Sequence, residues 1–337
     1  MLIGSHDTKK RIFIMAEIGN NHEGNFDVAV KMIEAAAGAG ADAVKFQTIV
    51  PERFVRPADT KRMEQLKRFA FSYEQFSRLK EVAENHGVLF LSTPFDLESA
   101  AFLDSLVPAF KIASGDNNFS PLIEVIARTG KPIILSTGVA NLEELKRVHS
   151  FIKDIWRAQR IDQTLAFLHC VASYPVPPDE ANLAAISTLA NAFPDCEIGY
   201  SDHTQGIQAA VVAAALGARI IEKHFTLDHH YSEFRDHQLS ADPTELAALV
   251  KGVRQVEALL GNGVKEPQKC EAEMIKPVRR SIVAARDLAQ GIVVGKNDIT
   301  WMRPGDGLAP GQEHLIIGKT LIKPVAKGVS LTLDIFT

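Results

Sequence analysis

The 337-residue sequence lacks the features that mark a membrane, secreted or nucleic-acid-binding protein. No apolar run approaches the roughly 20 residues that a membrane helix needs. The polar first residues lack the apolar segment of a signal peptide. Lys and Arg together number 37 against 41 Asp and Glu, a net charge of −4. That charge gives no basis for binding nucleic acid or a membrane surface.

Cysteine is scarce, and one common nucleotide-binding motif is missing. Cys170, Cys196 and Cys270 are widely spaced and form no CxxC pair, which argues against a disulfide framework and a zinc finger. We therefore expect a reducing, cytoplasmic location. No GxGxxG follows the first strand-like run, which disfavours a doubly wound dinucleotide-binding sheet, the main alternative among parallel folds.

Eight short apolar runs alternate with amphipathic stretches over most of the chain. Parallel strands need a crossover between them, usually a helix, so this alternation indicates an α/β fold with a parallel sheet. Eight such units in roughly 250 residues predict a closed (β/α)₈ barrel over residues 1–263. The eight runs are residues 12–19, 43–48, 88–94, 109–115, 132–138, 165–171, 197–202 and 219–226.

The pattern changes after Gly263. Residues 264–280 are charged and contain two prolines, which predicts a linker. Residues 281–337 then carry β-like runs at 281–286, 315–322 and 329–335, interrupted by Gly and Pro. We expect a small β-rich domain, which at this size gains stability by leaning on a partner surface.

Polar side chains gather where the predicted strands end, which is where barrel enzymes place their active sites. Lys45 and Lys111 lie at positions that can face inward, and lysine is rarely buried without a partner. An anionic ligand would explain both, since phosphate and carboxylate bind ammonium and hydroxyl groups together; salt-bridge partners within the chain are the alternative. The accompanying hydroxyls are Ser92, Thr93, Ser114, Ser136, Thr137 and Ser201.

Two histidines, His203 and His224, end neighbouring predicted strands. They could share one divalent cation and leave positions open for a substrate, or they could be hydrogen-bonded structural imidazoles. The adjacent His169 and Cys170 suggest a thiol nucleophile at first sight. Successive strand residues point to opposite faces, however, so this pair is disfavoured.

Six sequence blocks contain these candidate residues: AEIGNNHEG at 16–24, DAVKFQT at 42–48, KIASGD at 111–116, IILSTG at 133–138, GYSDHT at 199–204 and EKHFT at 222–226. In their order, and over nearly the whole chain, they resemble the sialic acid synthase family. RRSIVAARDLAQG at 279–291 and RPGDG at 303–307 resemble its antifreeze-like (SAF) domain. The resemblance implies condensation of phosphoenolpyruvate with an N-acetylated hexosamine aldehyde, N-acetylmannosamine or a related diacetamido sugar.

The resemblance also implies roles for individual residues. A divalent metal, Mn²⁺ first and Mg²⁺ or Co²⁺ as alternatives, would be held by His203 and His224, and Glu17 would be the active-site carboxylate that activates water. Phosphoenolpyruvate would contact Lys45, Thr93, Lys111, Ser114, Ser136 and Ser201. The sugar would lie near Gln47, Asp116, Tyr174, Asp202, Asp236 and Arg303. The small domain would cap the barrel mouth of a partner chain in a domain-swapped homodimer.

The sequence departs from the family pattern only on the sugar side. Ala172 stands where neuraminate-forming members tend to have Asn, and Asp116 stands where Glu is frequent. The usual Gly-Pro-Asp after the eighth strand is FRD at 234–236, which keeps Asp236. The reaction type is therefore better indicated than the identity of the sugar.

Two rival interpretations stay open at this point. A Schiff-base aldolase could use Lys45 or Lys111 as its nucleophile. A catalytically inactive, carbohydrate-binding barrel is the alternative outside catalysis, although the combination of Glu17, His203 and His224 argues against it.

Overall fold

The chain begins with a short hairpin, and eight strands then form where the apolar runs predict them. The hairpin pairs β1 (Leu2–Ile3) with β2 (His6–Asp7). The eight strands that follow are β3 (Phe13–Gly19), β4 (Ala43–Thr48), β5 (Leu89–Pro94), β6 (Phe110–Ile112), β7 (Ile133–Ser136), β8 (Leu165–Cys170), β9 (Glu197–Asp202) and β10 (Ile220–His224). In this computed structural model, which describes residues 1–337, all eight belong to one sheet.

The sheet is a nearly closed parallel barrel, which confirms the predicted α/β fold. Its strand order is β5–β4–β3–β10–β9–β8–β7–β6. The two ends of this order, β5 and β6, lie side by side. All strands therefore run the same way, and their carboxyl ends meet at one mouth.

Helices surround the barrel: α1 (Phe26–Gly38), α2 (Pro51–Phe54), α3 (Thr60–Phe69), α4 (Tyr73–Asn85), α5 (Leu97–Leu103), α6 (Ser120–Arg128), α7 (Leu142–Gln159), α8 (Ala185–Ala192), α9 (Gln208–Ala215), α10 (Asp236–Leu239) and α11 (Pro243–Leu260). Side-chain caps start the longer ones, because the first backbone N–H groups of a helix have no intrahelical acceptor. Asn25 caps α1, and Ser72, Asn141 and Asp242 form capping boxes at α4, α7 and α11. None of the helices combines the length and apolar character needed to cross a lipid bilayer.

Apolar packing fills the barrel from the end opposite its mouth. Met1 and Ile3 of the hairpin join Phe13, Met15 and Ile134 in an inner core at the amino ends of the strands. A larger apolar layer lies between the outer strand faces and the helices. The polar positions of the strands are therefore left at the mouth.

The chain divides into two compact units, Met1–Gly261 and Asn262–Thr337. In the second unit the predicted linker 264–280 carries α12 (Ala272–Val278), and an antiparallel pair joins β11 (Ser281–Ala284) to β12 (Ile299–Met302). The expectation of strands at 315–322 and 329–335 is wrong. These runs make only isolated bridges: Gly318 interrupts the first run, and a 3₁₀ turn occupies Leu333–Ile335 at the end of the second.

Candidate active site

A cavity of about 240 Å³ opens at the carboxyl ends of the barrel strands. Twelve of the fifteen residues predicted for the site line it: Glu17, Lys45, Gln47, Thr93, Lys111, Ser114, Ser136, Tyr174, Ser201, His203, His224 and Asp236. Six of the barrel strands bring an ionisable side chain to the cavity, either on the strand itself or on the residue directly after it. The other two, β5 and β7, supply the hydroxyl groups of Thr93 and Ser136.

Two lysines and two glutamates form the charged floor of the cavity. Lys45 Nζ lies 2.8 Å from Glu17 Oε2 and 3.9 Å from Glu222 Oε2. Lys111 Nζ lies 3.7 Å from the same Glu222 oxygen. All four side chains are buried. The lysines thus have partners within the chain as well as free donors for an incoming anion.

Hydroxyl groups hold these charges in place. Lys45 Nζ donates to Thr93 Oγ1 at 3.1 Å, and Lys111 Nζ donates to Ser136 Oγ at 2.6 Å. The Ser201 hydroxyl donates to Glu222 Oε1 at 2.9 Å. The arrangement presents ammonium and hydroxyl donors together, which suits a phosphate or carboxylate.

Burial and mutual attraction set the protonation of the floor. Burial would raise the pKa of Glu222, but the charges of Lys111 and Lys45 outweigh it and hold that pKa at about 2. Burial raises the pKa of Glu17 in spite of the nearby Lys45 ammonium. Burial also lowers the pKa of Lys111. Glu222 is therefore the firmly ionised carboxylate, and Glu17 is the one that exchanges a proton more readily.

Glu17 is oriented by a chain of amides. Gln47 Nε2 donates to Glu17 Oε1 at 3.0 Å, and Asn20 Nδ2 donates to Gln47 Oε1 at 2.9 Å. Both amides line the cavity with Glu17. The carboxylate thus faces the cavity in a fixed orientation, as a group that must position a water molecule requires.

The two histidines lie together at the cavity wall, with ring centroids 5.2 Å apart. His203 Nδ1 is 2.8 Å from the Val171 carbonyl oxygen. Because a carbonyl oxygen can only accept, Nδ1 is the protonated nitrogen and the Nε2 lone pair is free. Buried His224 Nδ1 has no hydrogen-bond partner, and burial lowers the pKa of His224 well below its ordinary value.

This donor set fits a divalent cation. Burial would lower the pKa of His203, but Cys170, 3.7 Å from its Nδ1, together with the Val171 carbonyl oxygen and the charge of Glu222, outweighs burial and raises it. Cation binding would displace any proton that His203 carries, since a metal takes the neutral imidazole. Two neutral imidazoles would fill only two coordination positions and leave others open for substrate atoms.

Aromatic and charged side chains form the wall of the cavity where the sugar is expected. The Tyr174 ring lies 4.2 Å from the His203 ring, and the Arg235 guanidinium lies 4.3 Å over Tyr174. Arg235 Nε also donates to Asp236 Oδ1 at 3.0 Å. Arg62 of α3 and Phe54 of α2 also line the cavity.

Three predicted residues do not line the cavity. Asp202 follows the inward-facing Ser201, so strand alternation turns it outward, where its carboxylate pairs with Lys223 at 3.0 Å. Asp116 lies half-buried in the turn after β6, where burial raises its pKa to about 6. The predicted sugar contact of Asp202 is therefore corrected, while the role of Asp116, next to the cavity-lining Gly115, stays a prediction. Arg303 lies exposed in the second unit, and its role stays a prediction.

Several lining residues were not given a role by the sequence. Glu222 is one, although its place two residues before His224 on β10 puts both on the same face of the strand. Cys170 is another: it faces the cavity, while the His169 ring turns away toward the Ala181 carbonyl oxygen at 2.9 Å, as the opposite-face argument predicted. Arg62, Phe54 and Arg235 come from segments without a strand pattern.

Comparison with known proteins points to one group of enzymes. Residues 32–265 match the NeuB family, and residues 279–336 match the SAF domain. The chain is 43% identical to an uncharacterized protein of Methanocaldococcus jannaschii, over 92% of this chain and 90% of that one. It is 38% identical to N,N'-diacetyllegionaminic acid synthase of Campylobacter jejuni, over 93% of this chain and 97% of that one. The crystal structure of the N-acetylneuraminic acid synthetase of Leptospira borgpetersenii, in complex with citrate, aligns with a TM-score of 0.75 and 38% identity, covering 82% of this chain and 94% of that one.

Proposed function

Since the chain belongs to the NeuB family of nonulosonic acid synthases and carries a SAF domain, we propose that it condenses phosphoenolpyruvate with an N-acetylated hexosamine aldehyde and releases phosphate. The observation that carries the proposal is the meeting, in one cavity, of two lysines with their hydroxyls, a pair of histidines and Glu17. The three free cysteines are consistent with a reducing cytoplasm as the place of reaction.

We assign the two ends of the cavity to the two substrates. The phosphate and carboxylate of phosphoenolpyruvate would lie over Lys45 and Lys111, with Thr93, Ser114, Ser136 and Ser201 as further donors. Gln47, Tyr174 and Asp236 would face the sugar. A divalent cation, Mn²⁺ first and Mg²⁺ or Co²⁺ as alternatives, would be held by His203 and His224 and would supply a Lewis acid for the aldehyde oxygen.

The reaction balances with the residues present. The terminal carbon of phosphoenolpyruvate bonds to the aldehyde carbon, and positive charge develops at the enol carbon. Glu17 takes a proton from a water molecule whose oxygen adds there. The aldehyde oxygen takes up that proton and becomes a hydroxyl group. The bond between the former enol carbon and the bridging oxygen then breaks as the added hydroxyl loses its proton, which leaves a ketone, and phosphate leaves with the bridging oxygen.

The proposal is tested by measuring phosphate release with a panel of N-acetylated hexosamines that includes N-acetylmannosamine and 6-deoxy diacetamido sugars. A parallel set of reactions contains a chelator.

In water with labelled oxygen, the labelled oxygen should enter the sugar acid and be absent from phosphate. Label in phosphate would mean phosphorus–oxygen cleavage and would contradict the route.

The lowered pKa of Lys111 favours one second candidate, a Schiff-base aldolase, because a desolvated amine is more nucleophilic. Borohydride in the presence of pyruvate would then attach the substrate carbons to Lys111. A chelator that abolishes turnover, with no borohydride adduct, would exclude this candidate.

Replacing Lys111 with methionine should weaken phosphoenolpyruvate binding, because methionine keeps the length of the side chain and loses the charge. One lost hydrogen bond to a charged group costs about 2–3 kcal/mol, or roughly 30- to 150-fold in affinity. The matched control is Lys131→Met, which removes a lysine that donates to the Val107 carbonyl away from the cavity. Unchanged saturation by phosphoenolpyruvate in Lys111→Met would place the anion elsewhere.

We further propose that the enzyme acts as a homodimer in which Arg303 of one chain completes the cavity of the other, as the family resemblance implies. Arg303→Ala and His203→Ala chains should each be nearly inactive alone. An equimolar mixture should regain about a quarter of the wild-type activity, since half of the dimers are mixed and one of the two sites in each is intact. Mixed dimers that form and stay inactive would show that Arg303 does not act across chains.

A further inference from the structure

A fully buried ion pair lies behind the two histidines, on the outer side of the strands that carry them. Lys223 Nζ and Asp202 Oδ2 are 3.0 Å apart, and neither side chain is exposed to solvent. The two residues are register partners on β10 and β9. Each immediately precedes one of the histidines, His203 after Asp202 and His224 after Lys223.

The pair also fixes the turn that carries His203. Asp202 Oδ1 accepts from the Thr204 backbone N–H and hydroxyl, each at 2.8 Å, and from the Tyr200 hydroxyl at 3.2 Å. Lys223 Nζ donates a second time, to the Thr204 carbonyl oxygen at 2.5 Å. The residues on both sides of His203 are thus bonded to the strand that ends in His224.

Stability alone does not account for such a pair. Removing two charges from water costs about as much as their attraction returns, so an apolar pair of similar size is often equally stable or more so. What an apolar pair cannot reproduce is the direction and length of the bonds between the turn and β10. These bonds constrain where the two imidazoles stand relative to one another.

We propose that Asp202 and Lys223 are positioning residues that set the separation of His203 and His224, and thereby the affinity of the site for a divalent cation. The inference rests on the proposed function, since it takes the two histidines as the cation's protein ligands. It predicts that the ion pair matters more for cation binding than for folding.

The test is the double variant Asp202→Asn/Lys223→Met. Asparagine keeps an acceptor for the Thr204 N–H, and methionine fills the volume of the lysine stem, so no unpaired charge is left behind. We expect a melting temperature close to that of the wild type. The dissociation constant for Mn²⁺, measured from the electron paramagnetic resonance signal of free Mn²⁺ without substrates, should rise at least tenfold, as for other groups that orient metal ligands.

Arg254→Met is the matched control. It removes two other ion pairs, Arg254 Nη2 with Asp42 Oδ2 at 2.9 Å and Arg254 Nη1 with Glu257 Oε2 at 2.9 Å, away from the mouth. This variant should lose stability and keep wild-type Mn²⁺ affinity. The contrast separates positioning of the histidines from a general effect of losing an ion pair.

Each remaining outcome decides the question. A folded double variant with wild-type Mn²⁺ affinity would overturn the proposal, and so would a double variant that fails to fold, because the pair would then serve the fold itself. If the wild-type protein binds no Mn²⁺, the two-histidine site is wrong, and this proposal falls with it. That result differs from a failure confined to the double variant.

Discussion

Glu17→Gln should lower kcat by roughly 10²- to 10⁴-fold, the range for removal of a positioned general base. Glutamine keeps the shape of the side chain and an oxygen that accepts from Gln47 Nε2, so the amide chain from Asn20 can stay in place. What disappears is the group that takes a proton from water. Phosphoenolpyruvate affinity should not fall, because Lys45 and Lys111 remain and one competing carboxylate is gone.

The pH dependence gives this prediction a second readout. Burial raises the pKa of Glu17, so the acidic limb of kcat/KM should lie above the ordinary glutamate value near 4.5. As the pH falls through the raised pKa, the base becomes protonated and the rate declines. The Glu17→Gln variant should lack this limb in its residual activity.

The control for Glu17→Gln is Glu23→Gln, a carboxylate six residues on that bonds to His237 at 3.3 Å and does not line the cavity. It should leave kcat near the wild-type value. A Glu17→Gln enzyme that keeps more than a tenth of the wild-type rate, with the acidic limb intact, would assign water activation to another group.

Strand register explains both what the sequence predicted of the site and where it failed. Lys45, Lys111 and His224 line the cavity because barrel strands alternate inward and outward, and the end of a parallel strand is at the mouth; their roles there stay predictions. The same alternation turns Asp202 outward, because Asp202 directly follows the inward-facing Ser201. Its match to a family motif gave it a sugar contact that the alternation does not allow.

The partners of the lysines could not be predicted from any one strand. Glu222 meets Lys45 and Lys111 only because β10 pairs with β3, which pairs in turn with β4, while the barrel nearly closes through β6. The sequence predicts an anionic ligand for the lysines, but no single strand indicates that the Glu222 carboxylate stands between them. The contact depends on closure of the whole eight-stranded sheet, which the pattern of a single strand does not indicate.

Three side chains that line the cavity escaped prediction for a different reason. Arg62 and Phe54 come from α3 and α2, and Arg235 comes from the segment before α10. The direction in which these side chains point depends on the path of the loop after each strand. The two-residue period of strands and the 3.6-residue period of helices carry no information about that path. Arg235 also lies in the segment 234–236 that departs from the family pattern, so sugar choice is the property least accessible from sequence.

Glu222→Gln should lower the free energy of unfolding of the ligand-free barrel by about 3 kcal/mol, the lower end of the range for breaking a buried ion pair. Glu222 Oε2 lies 3.7 Å from Lys111 Nζ and 3.9 Å from Lys45 Nζ. The pKa of about 2 held by Glu222 shows that the folded state favours its charge strongly. With glutamine there, two buried ammonium groups share one carboxylate, Glu17, whose pKa is raised.

An anion bound in the cavity should compensate for the missing charge. Phosphate or phosphoenolpyruvate that binds only the folded state stabilises it by an amount that grows with its affinity, and both lysines would attract it more strongly without Glu222 beside them. Calorimetry should therefore show a larger rise in melting temperature on phosphate addition for Glu222→Gln than for the wild type. Glu124→Gln, which removes the exposed partner of Arg128, should change stability by less than about 1 kcal/mol and leave the phosphate response unaltered. The contrary result would be a Glu222→Gln variant with the wild-type melting temperature and the wild-type response to phosphate. The two lysines would then not both be charged in the empty cavity, and the assignment of the anion site to them would be wrong.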